Sequence, residues 1–161
     1  MNVFQSHISD CVQFEPAQFR DDRGIFAETF RSSYLPHFKP VQTNYSLSKK
    51  GVLRGVHKTP YAKLVTCVVG NAYDVCVDLR PESPTYQEHY GVFLHGVTLN
   101  SLYIPPYCGH AFVAITDCVL VYQQDCEYNK SMDETYCYDQ YNINWPIAPT
   151  IISDKDKNCC D

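Results

Sequence analysis

The chain lacks the features that mark several large classes of protein. No apolar run in its 161 residues approaches the roughly 18 that a membrane span needs. Residues 1–10 have neither the charged start nor the apolar core of a signal peptide, so we expect a cytoplasmic protein with no membrane partner. Charged residues make up only 19%, and the net charge of -5 argues against a nucleic-acid partner.

The common signatures of phosphate, nucleophile and zinc sites are also missing. There is no glycine-rich phosphate loop, no G-x-S-x-G and no H-E-x-x-H. A metal triad on a strand needs a second histidine two positions after the first, whereas Lys58 and Thr59 follow His57. We therefore predict no metal, and we expect any phosphate to be held by side chains such as Arg23 and Arg54.

The chain has nine cysteines, a number that could suggest a disulfide-linked, secreted protein. Their number is odd, no two are spaced as C-x-x-C, and Cys67, Cys76 and Cys118 lie in strand-like runs. We interpret the cysteines as reduced thiols that pack as small hydrophobic side chains. The neighbouring pair Cys159 and Cys160 supports no interpretation of its own.

What the chain has in quantity is residues that favour strands. It contains 13 Tyr and 8 Phe, and 45% of its residues are hydrophobic. Its length and the absence of a linker predict one domain over residues 1–161. Many short β-prone runs separated by turn signals predict an all-β fold, most simply a jelly-roll barrel that is open at one end.

The pattern places most strands individually. Strands are predicted over 14–19, 24–30, 41–48, 52–56, 64–69, 72–79, 86–94, 101–104, 111–115 and 119–124, with a short helical turn over 32–38. Residues 41–48 alternate with period two, which predicts a half-buried strand with one polar face. Gly70-Asn71 is a hairpin signal, and the strand that starts at Val119 is expected to pair across the Thr116-Asp117 turn.

Polar side chains that could carry chemistry fall in or beside these runs. They are Gln42, Asn44, Arg54, His57, Lys63, His110 and Tyr122. A purely structural barrel would bury Val, Ile and Leu, whereas a barrel that holds a ligand can face polar groups inward. Each residue also has an ordinary explanation, such as a solvated face for Gln42 and Asn44. The grouping of Arg54, His57 and Lys63 favours a pocket that binds an anion and removes a proton from it.

A series of motifs resembles the dTDP-4-dehydrorhamnose 3,5-epimerase family, the RmlC-like cupins, over almost the whole chain. The motifs are Asp22-Arg23-Gly24-Ile25-Phe26 with Glu28, Gln42-Thr43-Asn44-Tyr45-Ser46, Gly51-Val52-Leu53-Arg54-Gly55-Val56-His57, Lys63-Leu64-Val65, Asp74-Val75, Ser83-Pro84-Thr85-Tyr86, His110-Ala111-Phe112, Tyr122, Trp145-Pro146 and Ser153-Asp154-Lys155-Asp156. The resemblance implies a cupin, or double-stranded β-helix, and a nucleoside-diphosphate sugar as substrate. It further implies an isomerase without cofactor that inverts C3 and/or C5 of a 4-keto-6-deoxy sugar through an enolate.

The resemblance also implies roles for individual residues. His57 would be the base, Asp156 its orienting carboxylate, Lys63 the cation beside the enolate and Tyr122 the acid on the far face. The substrate-binding residues would be Arg23, Phe26, Glu28, Gln42, Asn44, Arg54, His110, Tyr128 and Lys155. An acidic position about eleven residues after the tyrosine falls on Asp133 or Glu134, and the sequence does not choose between them. Family members pair, which implies a homodimer.

The chain departs from the family pattern between His57 and Lys63. The segment Lys58-Thr59-Pro60-Tyr61-Ala62 replaces a longer loop with a glutamine two residues after the histidine. The sugar could therefore be another NDP-hexose or a heptose, and the nucleotide base stays open. Two alternatives remain, a 3,4-ketoisomerase of the same fold and a non-catalytic sugar-nucleotide-binding cupin. Thr59 stands where the ketoisomerases carry a second histidine, and a non-catalytic cupin would be expected to lose the proton-transfer groups.

Overall fold

Nearly all regular structure in the chain is β-strand, as the computed structural model of residues 1–160 shows. The strands are β1 Asn2–Gln5, β2 Val12–Glu15, β3 Gln18–Asp21, β4 Gly24–Ala27, β5 Gln42–Ser48, β6 Val52–Lys58, β7 Lys63–Val69, β8 Asn71–Val77, β9 His89–His95, β10 Ser101–Ile104, β11 Gly109–Ala114, β12 Cys118–Gln124, β13 Glu134–Thr135 and β14 Ile151–Ile152. A single helix, α1, spans Asp154–Lys157, and 3₁₀ turns lie at Ser32–Tyr34 and Lys130–Met132. The all-β prediction with a few short helical turns is confirmed. None of these helices is long and apolar enough to cross a bilayer.

The strands form two main sheets that share one core. The first sheet has the order β1-β2-β10-β7-β12-β5, and the second has the order β13-β6-β11-β8-β9 with β14 added beside β6. From β5 to β8 each strand lies in the opposite sheet from the strand before it, and the same holds from β9 to β12. This alternation makes the two sheets the walls of one jelly-roll barrel.

The predicted hairpin at Gly70 is wrong. Strand β7 pairs with β10 and β12, whereas β8 pairs with β9 and β11, so the chain crosses from one sheet to the other at this turn. Gly70 has φ +72, and a Cβ there would overlap the carbonyl oxygen of Asp117. A tight turn with positive φ suits a corner between sheets as well as a hairpin, and the local sequence cannot distinguish them.

The pairing predicted across Thr116-Asp117 is wrong for the same reason. Strand β12 pairs with β5 and β7, and β11 lies in the other sheet. The sequence therefore locates the strands but not their partners. Partner choice depends on how the two sheets face each other, which a local turn signal does not encode.

Most of the cysteines pack as predicted, with one correction. Cys67, Cys76 and Cys118 are free and fully buried between the sheets. Cys137 and Cys160, however, form a disulfide across 23 residues, so the expectation that all the thiols are reduced is wrong for this pair. The disulfide connects the segment after β13 to the chain just beyond α1. Two cysteines this far apart in the chain carry no local sign that they meet.

Strand β5 turns its polar face toward the barrel. Gln42 and Asn44 are half-buried, whereas Tyr45 and Leu47 on the opposite face are 69% and 56% exposed. Strand β5 is the last strand of its sheet, and the face that carries Tyr45 and Leu47 is exposed. The predicted strand is confirmed, and the polar face is the inward one.

Candidate active site

A cavity of about 200 Å³ lies between the two sheets and is lined by polar and aromatic side chains. The lining residues are Ser46, Arg54, His57, Thr59, Tyr61, Lys63, His110, Phe112, Tyr122, Gln124, Tyr128 and Asp133. Five of them were predicted from the strand pattern: Arg54, His57, Lys63, His110 and Tyr122. A cavity for a drug-sized ligand has about 300 to 1,000 Å³, so the enclosed part here suits a group the size of one sugar ring.

His57 and Asp156 form a hydrogen-bonded pair at this cavity. The Nε2 atom of His57 lies 2.7 Å from Oδ1 of Asp156, and the carboxylate is almost fully buried. Burial alone would raise the pKa of Asp156, but the hydrogen bond and charge of His57, together with hydrogen bonds involving the Gly55 backbone and Ser153, lower it below its ordinary value. The carboxylate is therefore ionised and fixes one imidazole nitrogen, which leaves Nδ1 to accept a proton.

The short helix α1 brings Asp156 to His57. Ser153 caps the helix, and its Oγ accepts a hydrogen bond from the backbone N–H of Asp156 at 3.2 Å. Strand β14, immediately before the cap, pairs in parallel with β6, the strand that carries His57. The Cys137–Cys160 disulfide holds the chain just after the helix. Three separate contacts thus fix the carboxylate although α1 is only one turn long.

Gly55 makes room for this arrangement. Its backbone N–H lies 3.4 Å from Oδ2 of Asp156, so the second carboxylate oxygen also has a donor. Gly55 has φ +118, and a Cβ would overlap the carbonyl oxygen of His110 and the backbone of Ala111. Only glycine permits both this backbone conformation and this close approach of β6 to β11.

A second imidazole–carboxylate pair lies beside the first. His110 is the cross-strand neighbour of His57 in the ladder of β6 and β11, and its Nε2 lies 2.7 Å from Oδ1 of Asp74 on β8. Asp74 is fully buried, and its Oδ2 has no hydrogen-bond partner among residues 1–160. An unpaired buried carboxylate oxygen is costly, so this aspartate marks a position that packing alone does not explain.

Lys63 and Tyr122 add an ammonium and a phenol to the cavity. Burial lowers the pKa of Lys63 to about 8, partly offset by the charges of Asp133 and Asp74. Burial raises the pKa of Tyr122, although the positive charge of Arg54 opposes the shift. At neutral pH the lysine is therefore still mostly charged, and the tyrosine keeps its proton.

Of the two acidic candidates, Asp133 and Glu134, Asp133 is the one that lines the cavity. It accepts a hydrogen bond from Lys155 Nζ at 2.8 Å and lies 3.5 Å from the hydroxyl of Tyr128. Glu134 instead pairs with Lys58 at 3.1 Å. Asp133 is thus the acidic residue at the cavity, and it connects two of the predicted binding residues, Lys155 and Tyr128.

Gln42 and Asn44 belong to a hydrogen-bonded chain of side chains at the edge of the cavity. The Nε2 atom of Gln42 donates to Asn44 at 2.7 Å, and the amide of Asn44 donates to Gln124 at 3.2 Å. The Oε1 atom of Gln42 accepts from the backbone N–H of Tyr128 at 2.8 Å. These contacts anchor the lining residues Gln124 and Tyr128, and neither Gln42 nor Asn44 lines the enclosed cavity itself.

The remaining predicted residues lie away from the cavity of this chain. Arg23 and Phe26 are on the two-stranded β3–β4 hairpin, and Glu28 follows it. Phe26 is 65% exposed, Arg23 pairs with Asp21 at 2.6 Å, and Glu28 pairs with Arg31. Within one chain, therefore, these three residues do not reach the other predicted site residues.

Several lining residues were missed by the sequence reasoning. They are Ser46, Thr59, Tyr61, Phe112 and Gln124. Ser46 and Gln124 follow the alternation of β5 and β12, so extending the inward pattern along those strands could have found them. Thr59 and Tyr61 lie on the connection between β6 and β7, where no strand period applies.

Taken together, the cavity offers the groups that proton transfer at carbon needs. It has an imidazole backed by an ionised carboxylate, a protonated phenol and an ammonium that can stabilise a developing oxyanion. The one cluster of three possible metal ligands found among residues 1–160 is Cys137, Asp139 and Cys160, which does not include a cavity histidine. Two of those three residues are joined in the disulfide.

Comparison with known proteins gives concordant results. The family model for dTDP-4-dehydrorhamnose 3,5-epimerase matches residues 5–161. A protein of that name from Shigella flexneri is 39% identical over 170 aligned positions, which cover 98% of this chain and 94% of the relative.

Two solved structures extend the comparison to the fold. The dTDP-6-deoxy-D-glucose-3,5-epimerase RmlC of Legionella pneumophila, in complex with dTDP-4-keto-L-rhamnose, superimposes with a TM-score of 0.92 at 31% identity, covering 98% of this chain and 90% of that one. ChmJ, a 3'-monoepimerase of Streptomyces bikiniensis in complex with dTDP-quinovose, gives a TM-score of 0.89 at 32% identity, covering 95% and 84%. The barrel is therefore a cupin of the RmlC type.

Proposed function

Because the chain belongs to the dTDP-4-dehydrorhamnose 3,5-epimerase family, we propose that it epimerises a nucleoside-diphosphate 4-keto-6-deoxy sugar. Members of this family are isomerases of the epimerase class. The observation that carries the proposal is the arrangement of His57, Lys63 and Tyr122 around one cavity, with Asp156 hydrogen-bonded to the histidine. A non-catalytic binding protein would have no need of a proton acceptor, an ammonium and a proton donor around the same cavity.

The reaction begins with proton abstraction at a carbon next to the ketone. His57 accepts the proton at Nδ1, and the negative charge of Asp156 stabilises the imidazolium that forms. The electron pair of the broken C–H bond moves to the carbonyl oxygen, where the ammonium of Lys63 stabilises the enolate. Both charges develop in a mostly buried site, where electrostatic stabilisation is stronger than in water.

Reprotonation from the other face completes the inversion. Tyr122 donates its phenolic proton to the same carbon while the enolate returns to the ketone, and the new C–H bond has the opposite configuration. The raised pKa of Tyr122 keeps the phenol protonated until the enolate forms. The phenolate then regains a proton and His57 loses one to solvent, so the cycle closes without a cofactor.

The charged groups at the mouth suit a nucleoside diphosphate. Arg54 lies within β6 and is exposed, and its guanidinium donates to the hydroxyl of Ser48 and to the carbonyl of Leu47. Its free N–H groups can bind a phosphate in a bidentate manner. Tyr128 is 53% exposed and is available to stack on the base, while its backbone is held by Gln42.

We also propose that the enzyme works as a homodimer in which the β3–β4 hairpin of each chain reaches the partner's cavity. The hairpin exposes three large apolar side chains, Phe19, Ile25 and Phe26 at 62%, 43% and 65%. Arg23 and Glu28 match substrate-binding positions of the family yet lie away from the cavity in one chain. A contribution in trans reconciles these two observations.

Mixing two inactive variants tests that contribution. If Arg23 acts in the partner's site, a mixed dimer of Arg23→Ala and His57→Ala chains contains one site with both native residues. Mixing the variants after dissociation should therefore restore activity that neither has alone. Activity that stays absent, with mixed dimers demonstrated by mass spectrometry, would place Arg23 in the site of its own chain.

Solvent isotope exchange tests the reaction itself. Incubation of a dTDP-4-keto-6-deoxyhexose in D₂O should introduce deuterium at one or both carbons next to the ketone, and mass spectrometry distinguishes one from two. His57→Ala should stop the exchange, because the base is lost. No exchange with dTDP, UDP or GDP forms of the sugar would contradict the proposed function.

A further inference from the structure

The connection between β6 and β7 puts an unassigned phenol into the cavity. Only four residues, 59–62, separate Lys58, the last residue of β6, from Lys63, the first residue of β7. The side chain of Tyr61 lines the cavity and is 6% exposed. Its ring lies beside the ammonium of Lys63, with Nζ 5.9 Å from the ring centroid. A cation within about 6 Å of an aromatic face is attracted to it, so the two side chains hold each other in place.

The backbone around Tyr61 is fixed on both sides. The hydroxyl of Thr59 donates to the carbonyl oxygen of Tyr61 at 3.1 Å. The backbone N–H of Ala62 donates to Oδ1 of Asp125 at 2.9 Å, and the N–H of Tyr107 donates to the carbonyl of Thr59 at 2.8 Å. A short segment with this many contacts presents its side chain in one position, as a binding residue requires.

The hydroxyl of Tyr61 is protonated and has no partner among residues 1–160. Burial, together with the charge of Asp133 and smaller effects of neighbouring groups, raises its pKa to about 12. None of the hydrogen bonds of the described chain involves this hydroxyl, although Lys63, Asp133 and the phenols of Tyr122 and Tyr128 are all near it. The hydroxyl is not among the fully buried side-chain atoms that lack a partner, so it is accessible from the cavity that the side chain lines, and it is free to donate to a bound molecule there.

We propose that Tyr61 determines substrate specificity by donating a hydrogen bond to the hydroxyl at C3 of the sugar. The inference rests on the proposed function, in which Lys63 faces the oxygen at C4. A group packed against Lys63 meets the oxygen on the neighbouring carbon. In a 4-keto-6-deoxyhexose C3 carries a hydroxyl, whereas C5 carries a methyl group and the ring oxygen, an ether that accepts hydrogen bonds less well, so the C3 hydroxyl is the expected partner. A sugar without this hydroxyl would leave the phenol buried and unpaired, and such a loss discriminates strongly between substrates.

The experiment compares two substrates in two enzymes. The substrates are a dTDP-4-keto-6-deoxyhexose and its 3-deoxy counterpart, and the readout is kcat/KM for deuterium exchange at the carbons next to the ketone, which both sugars carry. The wild-type enzyme should prefer the 3-hydroxy sugar by at least about tenfold. Tyr61→Phe keeps the ring beside Lys63 but removes the donor, so it should slow the 3-hydroxy sugar and bring the two substrates to within about twofold.

Tyr103→Phe is the matched control. Tyr103 on β10 is also buried, and burial raises its pKa to about 12, but it does not line the cavity. This variant should keep the wild-type preference, and thermal unfolding should show both variants folded. A Tyr61→Phe enzyme with the wild-type preference would overturn the inference. Absence of exchange by the wild-type enzyme with either sugar would instead reject the proposed function, so the two failures are distinguishable.

Discussion

Two imidazole–carboxylate pairs face the same cavity, and they differ in what supports the carboxylate. In both pairs His Nε2 lies 2.7 Å from an aspartate Oδ1, and the two histidines are cross-strand neighbours. Asp156 belongs to a one-turn helix at the end of the described chain. Asp74 lies within β8, between two paired strands. The same hydrogen bond is thus made in one pair by a carboxylate on helix α1 and in the other by a carboxylate on a strand of the barrel wall.

The difference suggests different roles for the two histidines. Both oxygens of Asp156 have donors, and its lowered pKa keeps it ionised. An ionised and fully satisfied carboxylate can stabilise the imidazolium that a base becomes. Asp74 has one oxygen without a partner, and its rigid position in the sheet suits orientation of His110 toward a ligand. We therefore expect substitutions in the His57–Asp156 pair to impair proton transfer and substitutions in the His110–Asp74 pair to impair substrate binding.

Replacement of the histidines should give the largest effect and the clearest separation. His57→Ala should lower kcat by about 10²- to 10⁴-fold, because a general acid–base group contributes on that scale. His110→Ala should mainly raise KM, by about tenfold, since it removes a hydrogen bond to substrate. Steady-state kinetics with the dTDP-4-keto-6-deoxy sugar measure both. Equal losses of kcat in the two variants would mean that both histidines transfer protons.

The aspartates should repeat this contrast on a smaller scale. Asp156→Asn keeps the shape but removes the charge that stabilises the imidazolium, so kcat should fall by about 10²-fold. Asp74→Asn leaves His57 and Asp156 untouched and should change kcat by less than about tenfold. The pH profile of kcat/KM is a further check. The carboxylate of Asp156 is ionised above its ordinary pKa, and its contribution to kcat/KM is lost only as pH falls through the lower pKa of the folded protein. An acid limb of kcat/KM that is identical in Asp156→Asn and wild type would count against this assignment.

The sequence predicted the strands better than their arrangement. Residues 101–104 form a strand with the predicted bounds, and the alternation over 41–48 located β5 to within one residue. Hydrophobic period and turn residues are local, so they report where a strand runs. They do not report its partner, which is why the local sequence at Gly70 predicts a hairpin although the residue lies at a corner between two sheets.

The candidate site shows the same limit. Arg54, His57, Lys63, His110 and Tyr122 could be grouped because all are polar side chains in or beside strands that should be apolar. The sequence does not identify Tyr61 as a cavity residue, because an aromatic side chain in a turn does not break any pattern of polar and apolar residues. The partnership of Asp156 with His57 came only from the family resemblance, because 99 residues separate the two positions. Which distant residues meet depends on the topology, and period and spacing do not supply that.

Reduction of the Cys137–Cys160 disulfide should weaken the His57–Asp156 pair and leave the His110–Asp74 pair unchanged. A cross-link over 23 residues contributes about 3 kcal/mol to the free energy of unfolding in the chain-entropy account. Cys160→Ser should therefore lower that free energy by about this amount in denaturant unfolding. It should also lower kcat, because the end of the helix that carries Asp156 is released.

Cys159→Ser is the matched control for this variant. Cys159 is the neighbouring free thiol, so its replacement leaves the disulfide intact. This variant should keep the wild-type stability and kcat. The KM of Cys160→Ser should stay near the wild-type value, since Asp74 and His110 are in the barrel wall. Equal stability of Cys160→Ser and Cys159→Ser would show that the disulfide does not stabilise the native fold.

Replacement of Lys63 should have the smallest effect on the free energy of unfolding and, unlike loss of the disulfide, a stabilising one. Burial lowers the pKa of Lys63 from 10.5 to about 8, so the buried charge destabilises the folded protein at neutral pH. This difference of about 2.5 units corresponds to an upper limit of about 3 kcal/mol, and we expect Lys63→Met to gain roughly 2 kcal/mol at pH 7 while losing activity. Between pH 8 and pH 10.5 the unfolded chain binds the extra proton, so wild-type stability should rise through that window relative to Lys63→Met. Denaturant unfolding at several pH values measures this, with Lys49→Met, at an exposed lysine, expected to change little. A Lys63→Met enzyme less stable than wild type at pH 7 would mean that the ammonium is stabilised by its two aspartates, Asp133 and Asp74, more than burial penalises it.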